Sequence, residues 1–454
     1  MFNWRQELSY LPKIQSHFKQ LRSAIVNADM PMWPSVVDVQ TGRYLDGDHV
    51  PKRVYRLIGA PRGSTLYWDQ PLLVTAYVLS DLLNSPLYSQ SADVYIQSFL
   101  DHCVAPNGMF QWGNHMYYDL HEQKVIEFQD GYHELRPITP AWDMFWTHTP
   151  EQTSKYISLM AYRHIYDRST GGFNRHDDGK KGHAFIEAGG ILVESLSWLF
   201  SKNGDQELLE LALRVARYSY RNRDMSTGLV VNEPDMKRWD SKVSTTEIGV
   251  WAQCLLRAST YTDNDEFIEM ARNSIEAYLK YGYDIETNMY FGQIAVHTGE
   301  PLIPTEKGYW PQIHSDPWNV DQWPNHDYPM AVAEACITLH ALTGQQIFFD
   351  AVHHWSRIVV ESSPEKTGRW AYAESYGRCI HFLTRAGLEL DVESLFDDAK
   401  ALAEQSMEHL YENKMFQGYP KSNVYEAVDG VGYLFLGLIF LETRKEPNLQ
   451  GFGF

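Results

Sequence analysis

The stretch STGGFNRHDDGKKGHAFIEAGGILVESLSWLFSKNGDQELLELALRVARYSYRN, residues 169–222, contains in order every element from which the rest of the chain is built. Turn formers and a short aromatic run lead into a helix, 184–200, that is apolar on nearly all sides. The helix breaks at Asn203-Gly204-Asp205, and an amphipathic helix follows over 206–222. A helix without a polar face must be buried all round, whereas its amphipathic partner can leave one side in water.

The same order recurs along the chain. Residues 70–83 pair with 91–104, 246–260 with 263–281, 328–342 with 345–362, and 372–386 with 392–411; 427–441 is a last apolar helix. Another helix is expected over 11–26, where Pro12 suits the first turn. The amphipathic helices run into NGMFQWGNH (107–115), STGGFNRH (169–176), STGLVVNE (226–233), ETNMYFGQ (286–293), KTGRWAYAE (366–374) and NKMFQGYPK (413–421). Each has turn formers and then a brief alternating run suited to a short strand or hairpin. Repetition of this order implies an all-α fold, an (α/α) toroid or barrel of six or seven helical hairpins with short β-hairpins in the loops. Seven results if the first helix pairs with the last and a short inner helix lies near 140–147. One catalytic domain over 1–454 is expected.

Composition narrows the partners. Thirty-nine Lys and Arg against 58 Asp and Glu leave a net charge of −19, which argues against nucleic acid and against anionic membrane surfaces. An acidic sugar remains compatible, because it meets only the local potential of its cleft. Aromatic residues make up 14% of the chain, more than a helical core filled with Leu and Ala needs, and such rings stack on flat sugar faces. The four cysteines are widely spaced, with no zinc-type pattern, and read as buried thiols. No apolar run reaches the ~18 residues that would span a bilayer. The N-terminus lacks the apolar core of a signal peptide. A cytoplasmic location is therefore expected, or a periplasmic or secreted one if a leader has been removed.

In a toroid the outer-to-inner connections emerge at one end, so their polar residues converge on one cleft. Substrate-binding candidates there are Trp68, Asn114, His115, Trp142, Asn174, Arg175, His183, Glu187, Glu233, Arg238, Trp318 and Tyr376. Candidates for proton transfer are His176, Tyr309, His314, His326 and Tyr328, since imidazole and phenol can act as base and acid. Asn174, Arg175 and His176 together have the donors to grip a carboxylate; the alternative is that Arg175 pairs with Asp177 or Asp178 within its own loop. Neutralising a uronic-acid carboxylate acidifies the adjacent C–H, and loss of that proton lets the next glycosidic bond break by β-elimination. A hydrolase would need two carboxyl groups across the bond, and no spacing selects such a pair. No metal or other cofactor is expected, although His and Asp between 309 and 328 leave a divalent metal open.

With its repeated hairpins, the TPAWDMFW segment (139–146) and the STGGFNRH connection, the chain resembles the α/α-toroid carbohydrate-active enzymes, and most the lyases that cleave uronic-acid glycans such as alginate, glucuronan or pectate. The resemblance implies an Asn or His with an Arg at the carboxylate, matched by Asn174, Arg175 and His176 with His115 in support. It implies a Tyr or His as base and acid, for which Tyr309, His314, His326 and Tyr328 are available. The same toroid serves unsaturated glucuronyl hydrolases, other glycosidases and sugar 2-epimerases, so a glycoside hydrolase is the alternative, followed by an epimerase or a non-enzymatic glycan-binding protein.

Overall fold

A computed structural model describes residues 10–25, 31–45, 63–112, 116–127, 133–234, 240–303, 313–318 and 329–454. Its helices are α1 (Leu11–Ser23), α2 (Leu66–Leu83), α3 (Leu87–His102), α4 (Trp142–His148), α5 (Pro150–His164), α6 (Ile186–Asn203), α7 (Gln206–Arg221), α8 (Thr245–Thr262), α9 (Asp265–Gly282), α10 (Met330–Thr343), α11 (Gln346–Glu361), α12 (Pro364–Thr367), α13 (Ala373–Glu389), α14 (Ser394–Leu410) and α15 (Val431–Thr443). None is long and apolar enough to cross a membrane.

Burial follows the sequence pattern. Every residue of α6 from Ile186 to Leu199 is buried, as is α15 from Val431 to Leu441. The amphipathic α7 instead buries one stripe: Leu211, Ala212, Val215, Ala216, Tyr218 and Ser219. Between them Gly204 adopts a left-handed conformation that ends α6, and the Asp205 carboxylate accepts the Glu207 amide to start α7. One of the four amides that a helix start leaves without a partner is thus satisfied.

The chain divides into two compact units whose segments alternate along it. One comprises Met1–Gly131, Asp143–His148 and Ser363–Phe452. Within it α13 packs on α15 and α15 on α2, with α3 and α14 as amphipathic partners of α2 and α13. The first helix joins the last as expected: Phe18 and His17 of α1 set their rings against Phe435 of α15. Three short strands, β1 (Val36–Asp38), β2 (Arg43–Tyr44) and β12 (Val424–Glu426), form an antiparallel sheet in the order β12-β1-β2. The hairpin β10 (Tyr411–Glu412) with β11 (Met415–Phe416) follows α14, and β3 (Gly63–Ser64), β4 (Met116–Asp119) and β5 (Lys124–Glu127) form a second sheet.

The other unit comprises Tyr132–Trp142, Thr149–Ser362 and Gly453–Phe454. Here α6, α8 and α10 pack side by side, each backed by its amphipathic successor α7, α9 or α11. The pair β6 (Lys242–Ser244) and β9 (Gln293–Ala295) and the hairpin β7 (Tyr283–Asp284) with β8 (Met289–Tyr290) lie in its connections. Besides the single turn α12, one helix was not expected from the repeats. It is α5, opened by Pro150 at its first position and burying Tyr156, Ile157, Met160 and Ala161.

The repeated connections have a shared cause. Asp167, Asp224 and Asp284 each end an amphipathic helix region and accept the amide two residues on, from Ser169, Ser226 and Glu286 at 2.9, 2.8 and 3.0 Å. An Asp carboxylate mimicking a backbone turn in this way reverses the chain toward the next buried helix.

Close packing of the buried helices requires small residues where backbones meet. A methyl group on Gly377 of α13 would run into the backbone of Tyr433 and Leu434 of α15; one on Gly249 of α8 would stand 2.6 Å from the Val332 amide of α10. Gly377→Ala is therefore expected to destabilise by about 2 kcal/mol or more through overpacking. Alanine at an open helical position would instead stabilise by ~1 kcal/mol. Thermal melting of the variant checks the sign.

Candidate functional site

The polar connection before α6 is shaped by its own backbone. Three segments lie edge to edge: residues 134 and 176 form an antiparallel bridge, the Leu135 amide donates to the Arg175 carbonyl at 2.9 Å, and the Arg175 amide donates to the His183 carbonyl at 2.9 Å. In extended chain alternate residues share a face, so Glu134 and Arg136 point the same way. On the far side the Ile186 amide donates to the Asn232 carbonyl at 3.0 Å, which places Glu233 beside the first turn of α6 and hence beside Glu187. Asn232 is held in turn by Ser244, which takes the Asn232 Nδ2 hydrogen bond at 3.0 Å and donates its amide to Oδ1 at 2.9 Å.

Asn174 does not belong to the ligand-facing set. It is buried, its Nδ2 donates to Asp178 Oδ1 at 2.8 Å and to the Lys180 carbonyl at 3.1 Å, and its Oδ1 accepts the His176 amide at 3.0 Å. All of its amide chemistry goes into folding the loop. The alternative pairing of Arg175 with Asp177 or Asp178 is also absent: Asp177 takes Arg163 at 2.8 Å. Arg175 reaches instead to Glu134 at 2.9 Å, with its guanidinium 4.6 Å from the centre of the Phe185 ring.

Glu134 is the hub. Its carboxylate faces Arg175, Arg136 at 3.4 Å and His176 at 3.4 Å. Burial alone would raise its pKa, but His176, Arg136 and Arg175 outweigh burial and hold it well below the ordinary carboxylate range. The two other carboxyls behave oppositely. Burial pushes Glu187 up to about 7 and Glu233 up to about 8, although Arg175 pulls each of them down. Neither Oε2 of Glu187 nor either oxygen of Glu233 closes a hydrogen bond among the described residues, even with the His183 and Ala184 amides near Glu233. His183 stands 3.5 Å from Glu233, its ring centre 5.1 Å from that of His176, and burial, His176 and Arg175 lower its pKa. At neutral pH Arg175 and Arg136 thus both stand at an ionised Glu134.

Glu134 and Arg136 were not among the sequence candidates. Their signal was the alternation in HELR (133–136) just before Pro137, which reads as a short strand with two charges on one side. Other candidates fall elsewhere. Trp142 is a core residue donating to Ser195 Oγ at 3.1 Å, and Trp318 is a core residue donating to the Val359 carbonyl at 2.8 Å. Tyr376 is buried with its hydroxyl against Gln405 and His409 at 3.0 Å each. None of the three offers a ring face to a sugar, because each ring is buried in the core. Trp68 is half-buried on the first turn of α2, edge-on to Tyr67. His314 pairs with Asp284 at 2.8 Å and stacks on Phe291, a turn contact apart from the Glu134 group. Asn114, His115, Arg238, Tyr309, His326 and Tyr328 lie outside the described residues. Among the described residues no group of three or more His, Cys, Asp or Glu is placed to hold a metal ion.

Comparison with known proteins adds two findings. The family model described as periplasmic pectate lyase matches residues 63–183, a span that includes Glu134, Arg136, Arg175, His176 and His183. Among solved structures the chain is similar to a D-mannose isomerase, with 10% identity and a TM-score of 0.54 over 98% of this chain and 100% of that one. A cellobiose 2-epimerase from Bacillus thermoamylovorans matches at 9% identity and a TM-score of 0.53 over 95% and 98%. A family 76 glycoside hydrolase from a bovine Bacteroides thetaiotaomicron strain matches at 8% and 0.53 over 98% and 80%. The fold is the mostly helical (α/α) toroid.

The two raised carboxyls make a stability signature. Both sit above their ordinary value of 4.5, so between about pH 4.5 and 8 the folded chain retains protons that the unfolded chain has released. Their contribution is fully present below that window and is lost as pH rises through it. Glu187→Gln and Glu233→Gln, which mimic the protonated form, should raise the melting temperature at pH 8 and leave it nearly unchanged at pH 5. Equal shifts at both pH values would refute the assignment.

Proposed function

We propose that the chain is a carbohydrate-active enzyme that cleaves uronic-acid-containing glycans by β-elimination. The observation that carries the reading is the convergence of Arg175, Arg136 and His176 on the ionised Glu134, with His183 alongside. A substrate carboxylate entering this group meets Arg175, whose guanidinium fork fits it in two hydrogen bonds. Neutralised in this way, the carboxylate stabilises negative charge developing at the adjacent carbon, and His176 is the imidazole we assign to take the proton there. The partial match to the periplasmic pectate lyase model supports the same reading and favours a periplasmic location over the cytoplasmic one expected from the N-terminus.

A hydrolase is the second reading, and one observation favours it. Glu187 and Glu233 hold their protons near neutrality, as the acid of a glycosidase must. Such an enzyme also needs an ionised carboxylate free to act as base or nucleophile. Glu134 is ionised, but three cationic or imidazole partners engage it, and its lowered pKa makes it a weak base. Elimination needs no such group, and the balance falls on the lyase.

The two readings part in one assay. Incubation with polygalacturonate, alginate, glucuronan and glycosaminoglycans should yield, on one of them, the ultraviolet absorbance of a newly conjugated enol ether. New reducing ends without that absorbance would establish hydrolysis instead. On the active substrate, Arg175→Lys keeps a charge for Glu134 but loses the fork, and should lower kcat/KM by about a hundredfold, with a melting temperature within a few degrees of the parent. A parallel loss of stability and activity would assign Arg175 to loop packing.

A further inference from the structure

His183 and Glu233 form a pair with one member inside and one at the surface. The Glu233 side chain is 0% exposed and that of His183 is 45% exposed, with Nδ1 3.5 Å from Glu233 Oε1. Neither Glu233 oxygen closes a hydrogen bond among the described residues. The placement is built rather than incidental. The Asn232 carbonyl is tied to the start of α6, the His183 carbonyl is tied to the Arg175 amide, and His183 itself is held at φ +50°, a left-handed conformation that side chains other than Gly, Asn and Asp seldom adopt.

The surroundings favour the neutral form of each partner. Around His183 stand His176 and Arg175, which oppose an imidazolium, and the carboxyls of Asp178 and Glu134, which favour one less strongly. Around Glu233 stand Arg175 and Glu187, and burial outweighs the attraction of Arg175. Nδ1 stands 3.5 Å from the carboxyl, so a small approach lets a protonated Glu233 donate to that nitrogen, which leaves the ring proton on Nε2. The ring is then a donor on the side away from the buried carboxyl.

We propose that His183, backed by Glu233, delivers the proton to the departing glycosidic oxygen. The inference rests on the elimination reading above. In that step the base removes the proton at C5, and the electron pair of the C5–H bond becomes the C4–C5 double bond. The C4–O bond breaks with its pair on oxygen, which takes the Nε2 proton of His183. The Glu233 proton passes to Nδ1 as Nε2 releases its own, so the ring ends neutral and Glu233 ends as a carboxylate near Arg175. Solvent then receives the proton held by the base and returns one to Glu233 through the exposed imidazole. His183 is the catalytic residue of this step and Glu233 the positioning residue that reloads it.

Leaving-group dependence tests the proposal. Two substrates are compared, both made from the uronide on which the wild-type chain gives conjugated product: an oligomer with an ordinary sugar at C4 and a synthetic uronide with nitrophenoxide at C4. A sugar alkoxide needs protonation to leave, whereas nitrophenoxide does not. Glu233→Gln keeps the shape of the carboxyl without its acidity, and His183→Asn tolerates the left-handed backbone. Each variant should slow release of the sugar by roughly 10²- to 10³-fold, the range of general acid catalysis, and nitrophenoxide release by no more than about threefold. Equal slowing of both substrates, or no slowing of the sugar, would overturn the proposal. Absence of conjugated product from the wild-type chain on every uronide would be a different result, the failure of the elimination reading, and would take this proposal with it.

Discussion

The structure depends on helices that have no side they can show to water. Once α6 or α15 exists, each can be stable only with neighbours on every face, and the nearest material of the right length is another helix of the same kind. Backbones then approach until only hydrogen fits between them, as at Gly377 and Gly249. The amphipathic helices follow from the same demand, since each covers one flank of a buried helix and turns its charges outward.

A buried helix still has to begin, and its first turn carries amide groups without helical partners. In this chain those first turns collect acidic residues: Asp69 in α2, Asp143 in α4, Glu187 in α6, Glu247 in α8 and Glu374 in α13. The helix dipole favours an anion there, but burial works against it, and for Glu187 burial wins. The architecture that hides apolar surface therefore also manufactures carboxylic acids that stay protonated near neutrality. Function can be assembled on such groups without any further invention in the fold.

Charge in the site is arranged against the charge of the whole. A chain of net −19 would repel a polyanion at a distance, yet Arg175 and Arg136 both stand at Glu134. Interactions at contact distance in a partly dry pocket outweigh the screened field of remote surface carboxylates. Asn174, Asp177 and Asp178 hold the loop without engaging Arg175, because their polar atoms are engaged with one another, with Arg163 and with backbone.

Much of the fold was legible from periodicity, because burial on all sides or on one side is written directly into the spacing of apolar residues. The buried and amphipathic helices of each pair, the Gly204 break, the partnership of α1 with α15 and the short helix near residue 142 follow from it. The local composition around Arg175 and His176 likewise marked a polar centre. Which atoms would meet there was not a local property. Asn174 has the chemistry to grip a ligand, but its amide closes the loop; Trp142, Trp318 and Tyr376 have rings suited to sugar, but the packing buries them. Glu134, some forty residues before Arg175 in sequence, becomes its partner, with Arg136 on the same carboxylate, only when the backbone bridges residue 134 to residue 176. Sequence determines which residues must be buried, since that depends on each helix alone. The tertiary structure decides which donors remain available, since a hydrogen bond or ion pair is a property of two groups that the chain has brought together.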